Sequence, residues 1–311
     1  ANLAIILVDA RKGVQTQTRR HSYLAHLLGI PHIVVAINKM DLVSFDQATY
    51  ERICNDYRDF SASLGIGDVR FIPLSALDGD MVVERGERLN WYQGPTLLGI
   101  LENAPAAHSE RDEPFRFPVQ FVCRPHKAVD PKLHDYRGFM GRIESGEIAV
   151  GDEVLVLPSE KRTRIKAIEV FGTSLPRAIA EQSVTLLLEG EVDISRGDMI
   201  VQANNSALVT RRIETMLCWL SDTRLDPQRK YLIRQTTRET KAVIDMIIYR
   251  QDINTLQQMP AEYLDMNDIA RVTFKLAQPL CVDSYSDNRA TGAFIVIDET
   301  SNNTVGAGMI L

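Results

Sequence analysis

The sequence predicts a multidomain chain in which half of a parallel α/β domain (residues 1–108) precedes two all-β domains (109–205 and 206–311). Up to about residue 104, apolar runs of strand length alternate with segments of helical periodicity, an order typical of a parallel sheet. From Phe115 onward the apolar residues instead recur at every second position, and glycine-rich turns separate the runs. Because no long helical pattern interrupts this part, we expect each all-β domain to be a small β-barrel.

The elements of the first domain follow one another in strict alternation. We predict strands and helices in turn at 1–10, 14–28, 33–37, 46–64, 71–74 and 95–104. Leu24, Leu27 and Leu28 are predicted to cluster on one face of the first helix, and Ile53, Tyr57, Phe60 and Leu64 to form one apolar stripe of an amphipathic second helix. Ser44 and Gln47 have the spacing of a capping box for the second helix.

The strand at 33–37 is followed by the polar residues of Asn38-Lys39-Met40-Asp41. Its five apolar residues without alternation indicate a strand covered on both faces, and ligands bind beyond the carboxyl ends of such strands. A carboxylate such as Asp41 can accept two parallel hydrogen bonds from a ring N–H and an exocyclic amine, a donor pair that guanine carries and adenine does not. Asn38 can bind the purine edge, and the stem of Lys39 can lie along the base while its ammonium stays solvated.

The same four residues are also compatible with an ordinary turn. A second loop favours the nucleotide site: Ser75-Ala76-Leu77 follows the next strand, and its small residues let backbone N–H groups approach a ligand closely. Two polar loops after successive parallel strands are more specific than either loop alone. We therefore predict that Asn38, Lys39, Asp41, Ser75, Ala76 and Leu77 bind guanine.

These loops resemble the fourth and fifth motifs of the translation-factor GTPases. Later segments are similar to the GTPase subunits of bacterial ATP sulfurylase, and the resemblance covers essentially the whole chain. The strings that carry it are Val8 to Gly13, Trp91 to Thr96, Arg116 to Val122, Gly141 to Gly146, Asp287 to Asp298 and Thr304 to Ile310. The resemblance implies the C-terminal half of a P-loop GTPase α/β domain followed by two elongation-factor-like barrels. It also implies that the Ser75 loop supplies an N–H to the base oxygen.

The phosphate half of such a site has no counterpart in these 311 residues. The pattern Gly-x-x-x-x-Gly-Lys-Ser/Thr does not occur, so we expect an N-terminally truncated chain that is inactive alone as a GTPase, with the ligands for Mg²⁺ in the missing part. We assign no catalytic residue. The resemblance implies a cytoplasmic, GTP-binding subunit of sulfate adenylyltransferase. It would form a heterodimer with a catalytic subunit that makes adenylyl sulfate from ATP and sulfate in sulfate assimilation.

Two alternatives stay open: an elongation-factor-type GTPase that binds aminoacyl-tRNA, and a bifunctional protein with an adenylyl sulfate kinase after Leu311. The formal net charge is −6, with 35 basic and 41 acidic residues, so nucleic acid is not the expected partner. No run approaches the roughly 20 apolar residues of a membrane span, so we expect no membrane partner. The four cysteines are dispersed, and His126 and His134 lack metal-site spacing; we predict no metal site.

Overall fold

The computed structural model describes residues 1–105, 110–125 and 136–311. The chain forms two compact units, one of Ala1–His108 with Asp252–Gln257 and one of Ser109–Gln251 with Gln258–Leu311. The loop that carries His126 and His134 lies outside the described residues. The division into domains at 108/109 and 205/206 stays a prediction.

The first unit contains a parallel three-stranded sheet in the order β1-β2-β3. Its elements are β1 (Leu3–Asp9), α1 (Thr16–Leu27), β2 (His32–Asn38), α2 (Gln47–Ser63), β3 (Val69–Pro73) and α3 (Leu97–Glu102). The predicted alternation of strand and helix is confirmed. The central strand β2 is buried from Ile33 to Ile37, each at most 1% exposed, which agrees with its unbroken apolar run.

The two longer helices differ in how well their buried faces were predicted. In α2, Ile53, Tyr57 and Phe60 are buried as predicted, and Leu64 is half-buried at the end of the helix. In α1, Leu24 and Leu27 are half-buried and Leu28 is exposed, and the buried residues are Thr18, Ser22, Tyr23 and Ala25. Ser22 can be buried because its hydroxyl is hydrogen-bonded to the Thr18 carbonyl and to the Tyr57 hydroxyl.

The predicted capping box at the start of α2 is wrong. Asp46 is the N-cap, and its carboxylate accepts a hydrogen bond from the Thr49 N–H at 2.7 Å. Ser44 instead adopts a left-handed conformation at the end of the short 3-10 helix Met40–Val43. A carboxylate at the N-cap satisfies a free N–H and interacts favourably with the helix dipole, so Asp46 is the better cap.

The second unit contains both all-β regions. The strands of the first are β4 (Arg116–Pro118), β5 (Phe121–Cys123), β6 (Gly138–Arg142), β7 (Glu147–Ala149), β8 (Glu153–Leu157), β9 (Lys161–Val170), β10 (Thr173–Leu175), β11 (Arg177–Ile179), β12 (Ser183–Leu188) and β13 (Met199–Gln202). The strands of the second are β14 (Leu208–Trp219), β15 (Lys230–Gln235), β16 (Arg238–Gln251), β17 (Gln258–Met259), β18 (Ile269–Val282), β19 (Ala293–Asp298) and β20 (Thr304–Ile310).

Both regions close on themselves, so the two predicted barrels are confirmed. In the first, the sheet order is β4-β13-β8-β9-β12-β6-β5, and β4 and β5 are separated only by Val119 and Gln120. At this interruption the chain changes its partner strand, because β4 pairs with β13 whereas β5 pairs with β6. Phe121 is therefore 59% exposed, although strict alternation would have buried it with Phe117. In the second, a β15–β16 pairing closes the order β15-β19-β20-β14-β18-β16.

A buried ion pair connects the two barrels within this unit. Arg116, which is 1% exposed, donates through Nε and Nη2 to the two carboxylate oxygens of Asp283, each at 2.8 Å. The Thr291 hydroxyl donates to the same carboxylate at 2.6 Å. Burial raises the pKa of Asp283, but the hydrogen bonds from Arg116 and Thr291 outweigh burial, so the pKa lies below its ordinary value.

This geometry predicts a pH-dependent contribution to stability. Because the folded-state pKa is lowered, the contribution of Asp283 is present above its unfolded pKa of about 3.9 and is lost as the pH falls through the folded value. Asp283→Asn should lower the free energy of unfolding by about 3 kcal/mol at pH 7 and by much less near pH 2. Denaturant titrations monitored by Trp219 fluorescence in a Trp91→Phe background measure both values.

Asp193→Asn is the matched control, because Asp193 pairs with Arg137 in the same unit but its side chain is 89% exposed. A surface pair of this kind contributes little, so this variant should unfold like the parent at every pH. If Asp283→Asn destabilised the chain equally at pH 7 and pH 2, the ion pair would not be the source of the pH dependence.

Candidate functional site

The carboxyl ends of the three parallel strands meet at one edge of the sheet. Asp9 at the end of β1 pairs in register with Asn38 at the end of β2, and Ile37 pairs with Pro73 at the end of β3. Backbone hydrogen bonds continue beyond the strands, from Leu74 N to Ile37 O at 2.9 Å and from Met40 N to Leu74 O at 3.3 Å. The loops that follow β2 and β3 are therefore adjacent.

Asn38 joins these two loops through its side-chain carbonyl. Its Oδ1 accepts a hydrogen bond from Lys39 N at 2.7 Å and another from Ala76 N at 3.0 Å. Both lone pairs of Oδ1 are thus used inside the protein, and the side-chain amide keeps its two N–H donors for a ligand. The sequence indicated a base-binding role for Asn38 but not this structural one.

Lys39 lies across the strand ends, and its side chain is held by Asp9 at the end of β1. It has a left-handed backbone (φ 66°), and its Nζ donates to Asp9 Oδ2 at 3.0 Å while the side chain stays 47% exposed. The predicted solvated ammonium is therefore an ion pair in this structure. The hydrogen bond from Arg11 holds the pKa of Asp9 below its ordinary value against burial, and Lys39 lowers it further.

Asp9 and Arg11 were not among the residues predicted for the site. Arg11 donates to the Asp9 carboxylate through Nε at 3.0 Å and Nη2 at 2.6 Å. A signal was present in the sequence, because Asp9 ends the first apolar run at the same point where Asn38 ends the second. Only the parallel register places the two ends side by side.

Asp41 is oriented by a buried anchor and by a serine from the second loop. The 3-10 helix Met40–Val43 carries it, and Met40 is fully buried in the core below. The Ser75 hydroxyl donates to Asp41 Oδ1 at 2.9 Å and accepts from Asp78 N at 3.3 Å. The sequence indicated only a backbone role for Ser75, whereas its fully buried side chain is what contacts Asp41.

The structure thus brings five of the six predicted residues together: Asn38, Lys39 and Ala76 share one set of hydrogen bonds, and Asp41 and Ser75 share another. Leu77 follows at the loop tip with its side chain 86% exposed. The exposed stem of Lys39, the carboxylate of Asp41 and the amide of Asn38 offer an apolar surface, acceptors and donors to a planar polar ring. Guanine binding by these residues stays a prediction.

The described residues show neither a metal-binding cluster nor a membrane-spanning helix. Among the described residues, no group of three or more His, Cys, Asp or Glu side chains could hold a metal ion. Within the same residues, no helix is both long enough and apolar enough to span a membrane.

Family models match three consecutive parts of the chain. The elongation factor Tu GTP-binding domain matches residues 1–120, elongation factor Tu domain 2 matches 139–201, and the GTP-eEF1A C-terminal domain-like family matches 212–311. Proteins called sulfate adenylyltransferase subunit 1 are similar along the whole chain, with 49% identity for that of Cellvibrio japonicus, 48% for that of Bacteroides fragilis and 45% for that of a Sulfurovum species.

The chain is thus similar over its whole length to the sulfate adenylyltransferase subunit 1 proteins. It spans 64% of the length of the Cellvibrio and Bacteroides relatives. Crystal structures of Sup35 with GMPPNP and with GDP match all of this chain and 78% of the Sup35 chain, with 23% identity and a TM-score of 0.57. At this identity the likeness to Sup35 concerns the fold of the translation-factor GTPases.

The two hydrogen bonds accepted by Asn38 lead to a prediction that separates its structural role from its ligand role. Asn38→Ala removes the acceptor, so the amides of Lys39 and Ala76 should exchange with solvent about tenfold faster. Asn38→Asp keeps an acceptor oxygen at the same place but lacks the amide donors. Hydrogen exchange should therefore stay slow in Asn38→Asp, whereas any binding that needs the donors should be lost in both variants.

Amide exchange at single-residue resolution, by NMR or by mass spectrometry with fragmentation, measures this difference. Equal exchange in wild type and Asn38→Ala would show that Asn38 does not hold the two loops together.

Proposed function

We propose that this chain is the guanine-binding and barrel part of the GTP-binding regulatory subunit of sulfate adenylyltransferase. In this proposal GTP hydrolysis is coupled to the formation of adenylyl sulfate from ATP and sulfate in sulfate assimilation. One observation carries the proposal: the loops after β2 and β3 are joined by the Asn38–Ala76 and Ser75–Asp41 hydrogen bonds. The similarity to subunit 1 proteins over the whole chain supports the choice of reaction.

Guanine recognition follows from the groups that remain available in this network. Asp41 Oδ1 has one lone pair engaged by Ser75, so the carboxylate retains acceptor capacity for the ring N–H and the exocyclic amine of guanine. The amide donors of Asn38 suit an acceptor on the purine edge. The backbone of the loop Ser75, Ala76 and Leu77 would approach the base oxygen, and the stem of Lys39 would cover one face of the ring.

The residues of this chain account for the base and not for the phosphates. Most of the affinity of a nucleoside triphosphate comes from its phosphates and Mg²⁺, which neutralises their charge. We place those contacts in the part of the subunit that is not in this sequence. The chain alone should therefore bind GTP weakly and should not hydrolyse it.

The partner in this proposal is a separate catalytic subunit in a cytoplasmic heterodimer. Formation of a sulfate–phosphate anhydride from ATP is strongly uphill, so the reaction needs an exergonic one beside it. A nucleotide shifts a conformational equilibrium only by its different affinity for the two states. The barrels are the candidate surfaces that convey such a change, because the ion pair of Arg116 and Asp283 links them within one unit.

An elongation factor that binds aminoacyl-tRNA is the second candidate, and the match to elongation factor Tu domains favours it. The overall charge of −6 speaks against a broad RNA-binding surface. Identities of 45 to 49% over the full chain to subunit 1 relatives also favour the sulfate adenylyltransferase subunit.

The base assignment predicts a change of nucleotide preference. In the full-length subunit, Asp41→Asn should weaken GTP binding at least tenfold, because each charge-assisted hydrogen bond contributes about 1.5 to 3 kcal/mol. Xanthine nucleotides should gain affinity, since the new amide donor faces a carbonyl in xanthine where guanine has an amine. Titration calorimetry with GTP and XTP measures both.

Asp46→Asn is a control for that titration, because it changes a nearby carboxylate that caps α2 and contacts Thr49 instead of the site. It should leave the GTP/XTP ratio unchanged. Unaltered GTP binding by Asp41→Asn would refute the assignment of the base-reading loop.

The choice of partner predicts a second result. The intact subunit should co-purify with the sulfate adenylyltransferase catalytic subunit, and GTP should raise the rate of adenylyl sulfate formation by the pair. A pyrophosphate-release assay with and without GTP measures this rate. Recovery of aminoacyl-tRNA in a strongly salt-sensitive complex, without a catalytic subunit, would support the elongation-factor alternative instead.

A further inference from the structure

The loop after β3, residues 75–80, is called here the second base-reading loop. It contains two carboxylates, those of Asp78 and Asp80, that the proposed function does not use. Ser75 and Asp80 form a bridge in which Ser75 N donates to Asp80 O at 3.2 Å, and Gly79 N donates to Ser75 O at 2.8 Å. Asp80 is only 5% exposed. A buried carboxylate at this point must be compensated, because an unpaired buried charge is costly.

Arg88 supplies this compensation. Its Nη1 lies 2.8 Å from Asp78 Oδ2 and its Nη2 lies 2.5 Å from Asp80 Oδ2. Asp80 Oδ2 has no well-aligned hydrogen bond within the described part of the chain, so the charge of Arg88 is the main compensating interaction. Gly86 allows this approach: it has φ +69°, and a Cβ there would clash with the Asp80 carboxylate.

The guanidinium of Arg88 also contacts the end of the loop after β2, residues 38–45, which is the first base-reading loop. The Arg88 Cζ lies 4.7 Å from the centre of the Phe45 ring, a cation–π contact. Ser44 and Phe45 are consecutive non-glycine residues with φ 54°, and such conformations cost about 1 to 3 kcal/mol unless their surroundings hold them. The Trp91 indole also holds this turn, by donating to Phe45 O at 3.0 Å.

We propose that Arg88 is a positioning residue for guanine recognition: it braces the loop Asn38 to Phe45 against the loop Ser75 to Asp80. The inference rests on the proposed function, because it assigns Arg88 a role in binding the base. Arg88 positions the base-reading loops and does not affect the phosphate contacts. Its loss therefore weakens all guanine-containing ligands by the same factor.

The test uses Arg88→Met in the full-length subunit, which keeps an unbranched side chain and removes the charge. Dissociation constants for GTP, GDP and guanosine should each rise about tenfold, because Asp80 loses its charge partner and the Phe45 turn loses its contact. Arg88→Lys keeps the charge but not the planar fork, so it should recover part of the affinity.

Arg58→Met is the matched control. Arg58 also lies over a phenylalanine in the same unit, 4.8 Å from the ring centre of Phe71, and it donates to Asn55 without contacting either base-reading loop. This variant should leave the three dissociation constants within twofold of wild type.

Hydrogen exchange on the nucleotide-free protein gives a readout that does not depend on binding. In Arg88→Met, exchange should increase in residues 39–45 and 75–80 and stay unchanged in the core strand β2. In Arg58→Met, both loops should exchange as in wild type. A uniform increase over the whole unit in Arg88→Met would indicate general destabilisation and would overturn the inference.

Two further outcomes distinguish the inference from the function on which it rests. If Asp41→Asn weakens GTP binding at least tenfold but Arg88→Met binds within twofold of wild type, the positioning role of Arg88 is refuted and the proposed function stands. If wild type binds no guanine nucleotide, the proposed function and the guanine role of Arg88 are both refuted.

Discussion

The candidate site depends on the parallel pairing of three strands, because this pairing brings their carboxyl ends to one edge. Asp9 and Asn38 are held side by side by the register of β1 and β2. The side-chain carbonyl of Asn38 then fixes the two following loops by accepting from Lys39 and Ala76. The other polar contacts of the site form between loops that this pairing has brought together, and they include the hydrogen bond from Ser75 to Asp41.

Three of the ion pairs differ in burial, and burial decides how much each contributes. Arg116 and Asp283 form a buried, bidentate pair, so breaking it leaves an uncompensated charge. Arg88 is half exposed, but its partner Asp80 is buried, so losing Arg88 leaves a buried carboxylate without its charge partner. The pair of Lys39 and Asp9 is more exposed, and its contribution is correspondingly screened by solvent. Its importance lies in where it places the lysine stem.

Sequence patterns failed to predict which side chains are buried where tertiary contacts determine the environment of the residue. The leucines of α1 have helical spacing, but the side of the helix that faces the core carries Ser22, whose hydroxyl is hydrogen-bonded to Tyr57. Phe121 continues a two-residue alternation, but the chain changes partner strands just before it and the side chain faces outward. In both cases a local pattern could not report which neighbour the element would meet.

The sequence by itself determined the order of strands and helices and the two barrels, because apolar periodicity is a local property of the chain. Its short polar motifs led to the prediction of a guanine site. The tertiary structure alone decided that Asp9 pairs with Lys39, that the Ser75 hydroxyl contacts Asp41, and that Arg88 lies between the two loops. The contacts of Asp9 with Lys39, Asp41 with Ser75 and Phe45 with Arg88 join residues that are between 30 and 43 positions apart in the sequence. They form only when parallel strand pairing has brought the strand ends together.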